Sequence, residues 1–414
     1  MPKIWKKAYI TPVYKAGNKQ DILNYRPISI IGSISKVFDS IVTKNLNELC
    51  ILHIIKNQHG FVKGRSTLTN LIFYSNYISD TLNDRTPGAH KQVDAIYLDF
   101  AKAFDSVNHN LLIYKLSKLG LSGCTLKWIH SFLSNRELQV KIKGNLSDSF
   151  IATSGVPQGS HLGPLLFILF INDVADNLTV ALILIFADDI KIFTRITNIY
   201  DQICLQKDLE KIYAWSCENK IQLNCNKCKF ISFVRSAHKF SFDDSISGVF
   251  LERVQSIKDL GIIYQTNFEF DIHLRMVTSR AYKLLGFIKR SSKEFKTVDS
   301  IIHLYKTLVR PILIYGSIIW SPYRLYLIKE LESVQHRLLR YVAFKMGNSM
   351  SYDDHNYSDI AALVKLESLK SLHVYNDIYF VKKVQLKLVN CDDTFKLFVK
   401  RNISYDLRVT REFS

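Results

Sequence analysis

The chain has 414 residues, 47% of them hydrophobic, and a formal net charge of +18 at pH 7. That much apolar material excludes a disordered polymer, and the length exceeds one ordinary core, so two or three packed units are expected. The positive balance is spread along the chain and not gathered in a tail, which suits a long groove for a polyanion: RNA, DNA or an acidic membrane surface. Seven cysteines without regular framing read as thiols of a reduced intracellular protein, in nucleus or cytoplasm and not secreted. Cys225 and Cys228 form a CxxC with Cys217 nearby, but no second pair supplies the four ligands of a zinc site. The opening MPKIWKKAYITPVYK lacks the apolar centre of a secretory signal. The most apolar stretch, 164–186, is interrupted by Asp173 and Asp176, so it reads as a buried helix and strand and no membrane span is expected.

In chain order, 4–31 surrounds a Lys-Ala-Gly-Asn turn with strand-like runs, a basic hairpin with Lys15 and Lys19 near its tip. A helix is expected over 34–49, with apolar positions at Val37, Phe38, Ile41, Val42, Leu46 and Leu49. QHGFVKGRST (58–67) is a loop whose glycines flank Lys63 and precede Arg65, and Ser66 or Thr67 can cap the next helix. Such a loop serves as a phosphate contact or as a plain connection. Residues 94–100 read as an apolar strand carrying Asp99 at its end. A helix from Ser106 or Asn108 to about Leu119 follows, then a helix over 126–133 and a hairpin of 138–143 with 149–153. The turn-rich loop 154–160 feeds a very apolar helix from about Leu162.

LILIFADDIKIFT (182–194) sets β-branched and aromatic runs on both sides of Asp188 and Asp189, the pattern of a hairpin whose turn presents carboxylates. Taken alone, these residues fit a plain hairpin with Asp in its turn at least as well. Burying paired carboxylates is costly without a cation, however, and Asp99 ends a second apolar strand upstream. Three carboxylates on adjacent strand ends could hold two Mg²⁺ ions for phosphoryl transfer. A helix over about 201–219, a strand at 229–234 and further strands up to 261–263 come next. Beyond roughly residue 268 the pattern turns helical, over 273–290, 298–320 with a kink or break at Pro311, and 324–344. The first of these carries Arg275, Arg280 and Lys283, a solvated face or a contact to a nucleic-acid backbone. Helical patterns near 360–388 carry no functional reading.

YLDFAKAFDSV (97–107), SGVPQGSHLGPLLF (154–167) and FADD (186–189), in this order, resemble the palm motifs of reverse transcriptases. NYRPISI (24–30) and QHGFVKGRST (58–67) resemble the fingers motifs of the non-LTR (LINE-type) retrotransposon branch, jockey-like elements especially. KDLGI (258–262), LVRPILIYGSIIW (308–320) and LESVQHRLLRYV (331–342) resemble its primer-grip and thumb region. The resemblance covers roughly residues 4–345. It implies an α+β right-hand polymerase fold: fingers and palm with antiparallel sheet over 1–265, a helical thumb over 266–345, and a C-terminal helical region of unknown role over 346–414. The implied activity is RNA-directed DNA polymerase, extending a DNA primer with dNTPs on an RNA template by two-metal phosphoryl transfer.

The same resemblance assigns roles. Asp99, Asp188 and Asp189 become the catalytic carboxylates and, with the backbone of Phe100, the ligands of two Mg²⁺ ions (Mn²⁺ being an alternative), Asp189 the weaker. Lys227 in LNCNKCKF becomes the proton donor to the leaving pyrophosphate. Phe104 takes the place of the aromatic steric gate against ribose. Gly155, Pro157, Gln158 and Gly159 form the loop against the incoming nucleotide, and Arg26 and Lys36 hold the triphosphate. Lys63 and Arg65 are template-backbone contacts, and Arg275, Arg280 and Lys283 further nucleic-acid contacts. His161 departs from the small apolar residue usual in the branch. The chain begins inside the fingers region, so an upstream endonuclease domain is not expected in it. The rival reading is a catalytically silent remnant that only binds RNA or RNA–DNA hybrid. A group II intron maturase or telomerase relative shares the palm but fits NYRPISI and the thumb run less well. No protein partner or membrane partner is indicated.

Overall fold

Apolar runs rich in Ile, Val and Phe build the sheet on which the site is mounted. β3 (Gln92–Leu98) runs antiparallel to both β8 (Asp189–Ile196) and β9 (Lys229–Val234), and the order across the sheet is β12-β9-β3-β8-β7. β7 is Leu182–Phe186, and the edge strand β12 (Glu252–Arg253) lies parallel to β9. The middle strand is buried along nearly its whole length, and its two buried polar side chains, Gln92 and Asp94, are hydrogen-bonded to each other. The computed structural model describes residues 1–86, 90–235, 239–347 and 357–390. They divide into two units, one of 1–70 and 80–254, the other of 71–79 and 255–414.

In the first unit a second sheet is built on the basic hairpin, β1 (Lys7–Tyr14) and β2 (Tyr25–Ile31), paired from Ala8↔Ile31 to Tyr14↔Tyr25. β4 (Arg136–Ile142) pairs antiparallel with β5 (Asn145–Leu146) and β6 (Phe150–Ala152), as the expected hairpin requires. It also joins β1 in parallel, Lys7↔Glu137 to Ile10↔Val140, a pairing between distant segments that no local pattern announces.

Helix α1 (Ser33–Cys50) forms where expected, but its buried face is not the apolar one. Val37, Ile41 and Leu49 are exposed, whereas Ser35, Asp39, Thr43, Leu46 and Cys50 face inward. The reason is Asp39, which caps α5 (Leu162–Phe170) by accepting the backbone N–H groups of His161 at 2.7 Å and Leu162 at 3.2 Å. An aspartate at a helix N-terminus meets unpaired amides and the positive end of the dipole. Burial still holds the Asp39 carboxyl above its ordinary range. Helix α5 itself is apolar all round and lies wholly in the core. Ser66 caps α2 (Thr67–Leu82), its Oγ accepting from the Thr69 N–H while Thr69 Oγ1 accepts from the Ser66 N–H.

The second unit contains the hairpin β13 (Ser256–Asp259) and β14 (Ile262–Gln265), followed by helices. α7 (Asp271–Ser291) packs against α11 (Leu325–Lys345). The helix expected over 298–320 is broken into α8 (Val298–Leu304), a π-helical turn at 305–309, α9 (Arg310–Ile314) and α10 (Ser317–Trp320). Pro311 comes just after the π-helical turn in a helical run that continues to Ile314, and the chain leaves the helix at extended Tyr315 and left-handed Gly316. Within the expected C-terminal region, α12 (Ser358–Leu363) and α13 (Leu369–Gln385) are helical, while 348–356 and 391–414 lie outside the described residues. Among the described residues no helix is long and apolar enough to cross a membrane.

Candidate active site

Asp99 leaves β3 one residue after the rung Leu98↔Ile190, and Asp188 sits in the turn between β7 and β8, so both acids stand at the same end of adjacent strands. They are near enough for their charges to interact. Burial pushes the Asp188 carboxyl above its usual range and the Asp99 charge pushes it further, against the pull of Lys15 and Arg26. Asp189 pairs with Phe186 across the turn and is exposed. Among the described residues no group of three or more His, Cys, Asp and Glu side chains is placed to hold a metal ion.

The pair fits a divalent cation all the same. A buried carboxylate whose proton affinity is raised further by a second carboxylate at the same sheet end is the electrostatic situation a cation relieves, and Mg²⁺ asks for only one or two carboxylates before water and substrate oxygens complete its shell. Phe100, the other expected ligand through its backbone, follows Asp99 directly, with its ring buried against Trp215.

Lys227 reaches the same place by a loop. The Asn224 N–H donates to the Asp99 carbonyl at 2.8 Å, the Ala101 N–H donates to the Gln222 carbonyl at 2.8 Å, and Lys227 Nζ then lies 3.6 Å from Asp99 Oδ2.

The Gly-Gln loop lies on the segment after Asp99. Gly155 has φ 86, and a Cβ there would come within 2.8 Å of the Asp105 backbone. Gly159 has φ 122, and its Cβ would stand 2.5 Å from the Ser29 carbonyl. Gln158 Nε2 donates to Asp105 Oδ1 at 2.9 Å, and its carbonyl accepts from the Ser29 N–H at 2.7 Å. Buried Pro157 accepts at its carbonyl from Ser160 Oγ at 3.0 Å. Phe104 is half-buried, stacked on Phe167 with centroids 4.2 Å apart.

Arg26 and Lys36 are exposed, on β2 and in the first turn of α1, and Lys63 is exposed in its loop. Arg65 differs, because its Nη1 donates to the carbonyls of Ile55 at 2.8 Å and Gln58 at 2.7 Å and so ties its own loop together. Arg275, Arg280 and Lys283 are all exposed on α7.

Three contributions were not read from the sequence. Lys15, read only as a hairpin-tip cation, acts on Asp188. Asp105 anchors Gln158. The segment 57–60 lies along β7, with the His59 N–H donating to the Ile185 carbonyl at 2.8 Å and the Ile185 N–H to the Asn57 carbonyl at 2.9 Å.

Residues 16–288 match the family described as reverse transcriptase (RNA-dependent DNA polymerase). The chain is 28% identical over 360 residues to the probable RNA-directed DNA polymerase from transposon BS of Drosophila melanogaster, covering 82% of this chain and 38% of that protein. It is 27% identical over 357 residues to the RNA-directed DNA polymerase from mobile element jockey of Drosophila funebris, covering 83% and 38%. The chain thus spans 38% of the length of these relatives. Among solved structures, an apo telomerase from Candida tropicalis aligns at 13% identity with a TM-score of 0.47, over 93% of this chain and 68% of that one.

Proposed function

The chain belongs to the reverse transcriptase (RNA-dependent DNA polymerase) family, and from that premise we propose that it extends a DNA primer with dNTPs on an RNA template, as the polymerase segment of a non-LTR retrotransposon. The observation that carries the proposal is the pairing of Asp99 with Asp188 at one sheet end, inside the fields of Lys15 and Arg26. Divalent ions, which the family generally uses, would be held by these two carboxylates with Phe100 and Asp189 in support. When bound, Mg²⁺ or Mn²⁺ would stabilise the charge on the attacking and leaving oxygens.

The remaining work falls to the chain itself. Lys227, beside Asp99, holds a proton for the leaving pyrophosphate oxygen. Lys15, Arg26 and Lys36 balance the triphosphate charge. Gly155, Pro157, Gln158 and Gly159 form the surface against which the nucleotide lies, and Phe104 closes the space a ribose 2′-hydroxyl would need. Lys63, Arg275, Arg280 and Lys283 contact template and primer phosphates, with Arg65 shaping the loop that presents Lys63. Those contacts make binding fall steeply with salt and leave it largely indifferent to sequence. The site of action is inside the cell, in nucleus or cytoplasm, where such templates occur.

Primer extension on an RNA template with Mg²⁺ and dNTPs, with Asp188→Ala as control, tests the reading. Incorporation by the unaltered chain and none by the variant supports it. Equal incorporation in both, or none in either, rejects it.

A further inference from the structure

We propose that Gln58 is a positioning residue for the catalytic hairpin: it locks the turn that carries Asp188 and thereby sets the affinity of the Asp99–Asp188 pair for divalent ions. The inference rests on the polymerase reading for its catalytic consequence but not for its structural one.

Gln58 is only 1% exposed. Its side-chain Oε1 accepts two backbone N–H groups, from Gly60 at 2.8 Å and from Ala187 at 3.1 Å, the second 129 positions away. Ala187 is the residue immediately before Asp188, and it holds φ 57, a left-handed conformation that residues with a Cβ rarely adopt. Such conformations persist where their surroundings over-determine them. Here the surroundings are the Gln58 segment. A Cβ on Gly60 would stand 2.4 Å from the Ala187 nitrogen, so the segment lies directly on the turn. The flanking bonds between Asn57, His59 and Ile185 fix the strand, whereas the bond from Gln58 fixes the peptide that aims Asp188.

Removing the acceptor leaves a buried amide unpaired, since Ala187 is 5% exposed, and releases the turn from its left-handed state. Displacing a carboxylate by a fraction of its reach is enough to weaken a bound ion, and supports behind metal ligands commonly matter by ten- to a hundred-fold. Gln58→Met has nearly the same shape without the acceptor. Gln58→Glu keeps two acceptor oxygens and loses Nε2, which has no hydrogen-bond partner, while adding an ionisable carboxyl at a buried position.

The test uses the full chain in three readouts: exchange of the Ala187 amide in metal-free protein, Mn²⁺ affinity by electron paramagnetic resonance, and primer extension resolved into kcat and primer–template KM. The expectation is a protected Ala187 amide in the unaltered chain. Gln58→Met should lose that protection, bind Mn²⁺ about 10–100-fold more weakly and lose kcat by a similar factor, with KM unchanged. Gln58→Glu should keep the Ala187 amide protected, since its acceptors remain. An Ala187 amide that exchanges like an open turn in the unaltered chain overturns the proposal without any variant. So does a folded Gln58→Met that binds Mn²⁺ normally, or equal loss of Ala187 protection in the Met and Glu variants. Protection and Mn²⁺ behaviour as expected, in a chain that extends no primer, would sink the polymerase reading and leave the role of Gln58 standing.

Discussion

Lys227 Nζ stands 3.6 Å from Asp99 Oδ2, at the end of a loop that is itself hydrogen-bonded to the Asp99 carbonyl. The lysine side chain is 60% exposed and the aspartate 36%, so the pair is screened by water and contributes at most about 1 kcal/mol to folding. Under the proposed function its position matters for chemistry more than for stability. Lys227→Ala should leave the melting temperature almost unmoved while slowing single-turnover extension by about 10²-fold or more, the range of general acid catalysis. Melting curves beside rapid-quench kinetics decide it, and a rate loss matched by an equal loss of folded protein would contradict the assignment.

Asp188 has a carboxyl raised by burial and by Asp99. For an acid raised in the folded state, the stabilising contribution is full below its unfolded value and disappears as pH rises through the folded one. At neutral pH the ionised Asp188 thus burdens the metal-free fold. Asp188→Asn should raise the melting temperature of metal-free protein at pH 7 and have little effect near pH 3. Mg²⁺ should raise the melting temperature of the unaltered chain, because it binds only the folded state, and raise that of the variant far less. Calorimetry at the two pH values, with and without Mg²⁺, checks both halves.

Much of this was legible where the chemistry is local. The Asp188–Asp189 hairpin shows itself because apolar runs bracket the acids, α5 because a run of nine residues holds no charge, and the α2 cap because Ser66 precedes the helix. What could not be read depends on partners far away in sequence. α1 turns its polar stripe inward only because Asp39 meets α5, more than a hundred positions later. The parallel pairing of β1 with β4 and the bond from Gln58 to Ala187 have no period at all. Asp99, Asp188 and Asp189 were read together from their two strands, but how each is turned is set by turn geometry that residue identities do not reveal.

Phe104 stacks on Phe167, with Phe61 edge-on at 6.4 Å, so the ring proposed to lie beneath the nucleotide sugar is also a packing residue. Phe104→Ala should destabilise the first unit by about 2–3 kcal/mol, less than full burial would cost because the ring is half-exposed. Activity alone would confuse the two roles. The ratio of kcat/KM for a dNTP to that for the matching rNTP is independent of how much protein is folded, and it should fall about tenfold or more. An unchanged ratio would leave Phe104 as a packing residue only.

Asp244 is 4% exposed, and its Oδ1 has no hydrogen-bond partner. Burial, then the charge of Asp94, push its carboxyl up to about 7, against the pull of Arg253 and with a further push from Asp243. Asp94 is engaged by Gln92 Nε2 and Gln202 Nε2, each donating at 2.8 Å, so those amides are not available to Asp244. Relative to an unfolded value of 3.8, stability owed to protonated Asp244 is complete below about pH 4 and is lost as pH rises towards 7. A shift of that size corresponds to roughly 4 kcal/mol as an upper bound. Asp244→Asn should match the unaltered chain near pH 4, gain on it steadily between pH 4 and 7, and hold a constant advantage above. Urea unfolding at a series of pH values measures the difference directly; a flat difference across that window would mean that Asp244 stays ionised in the fold, with Arg253 carrying the compensation.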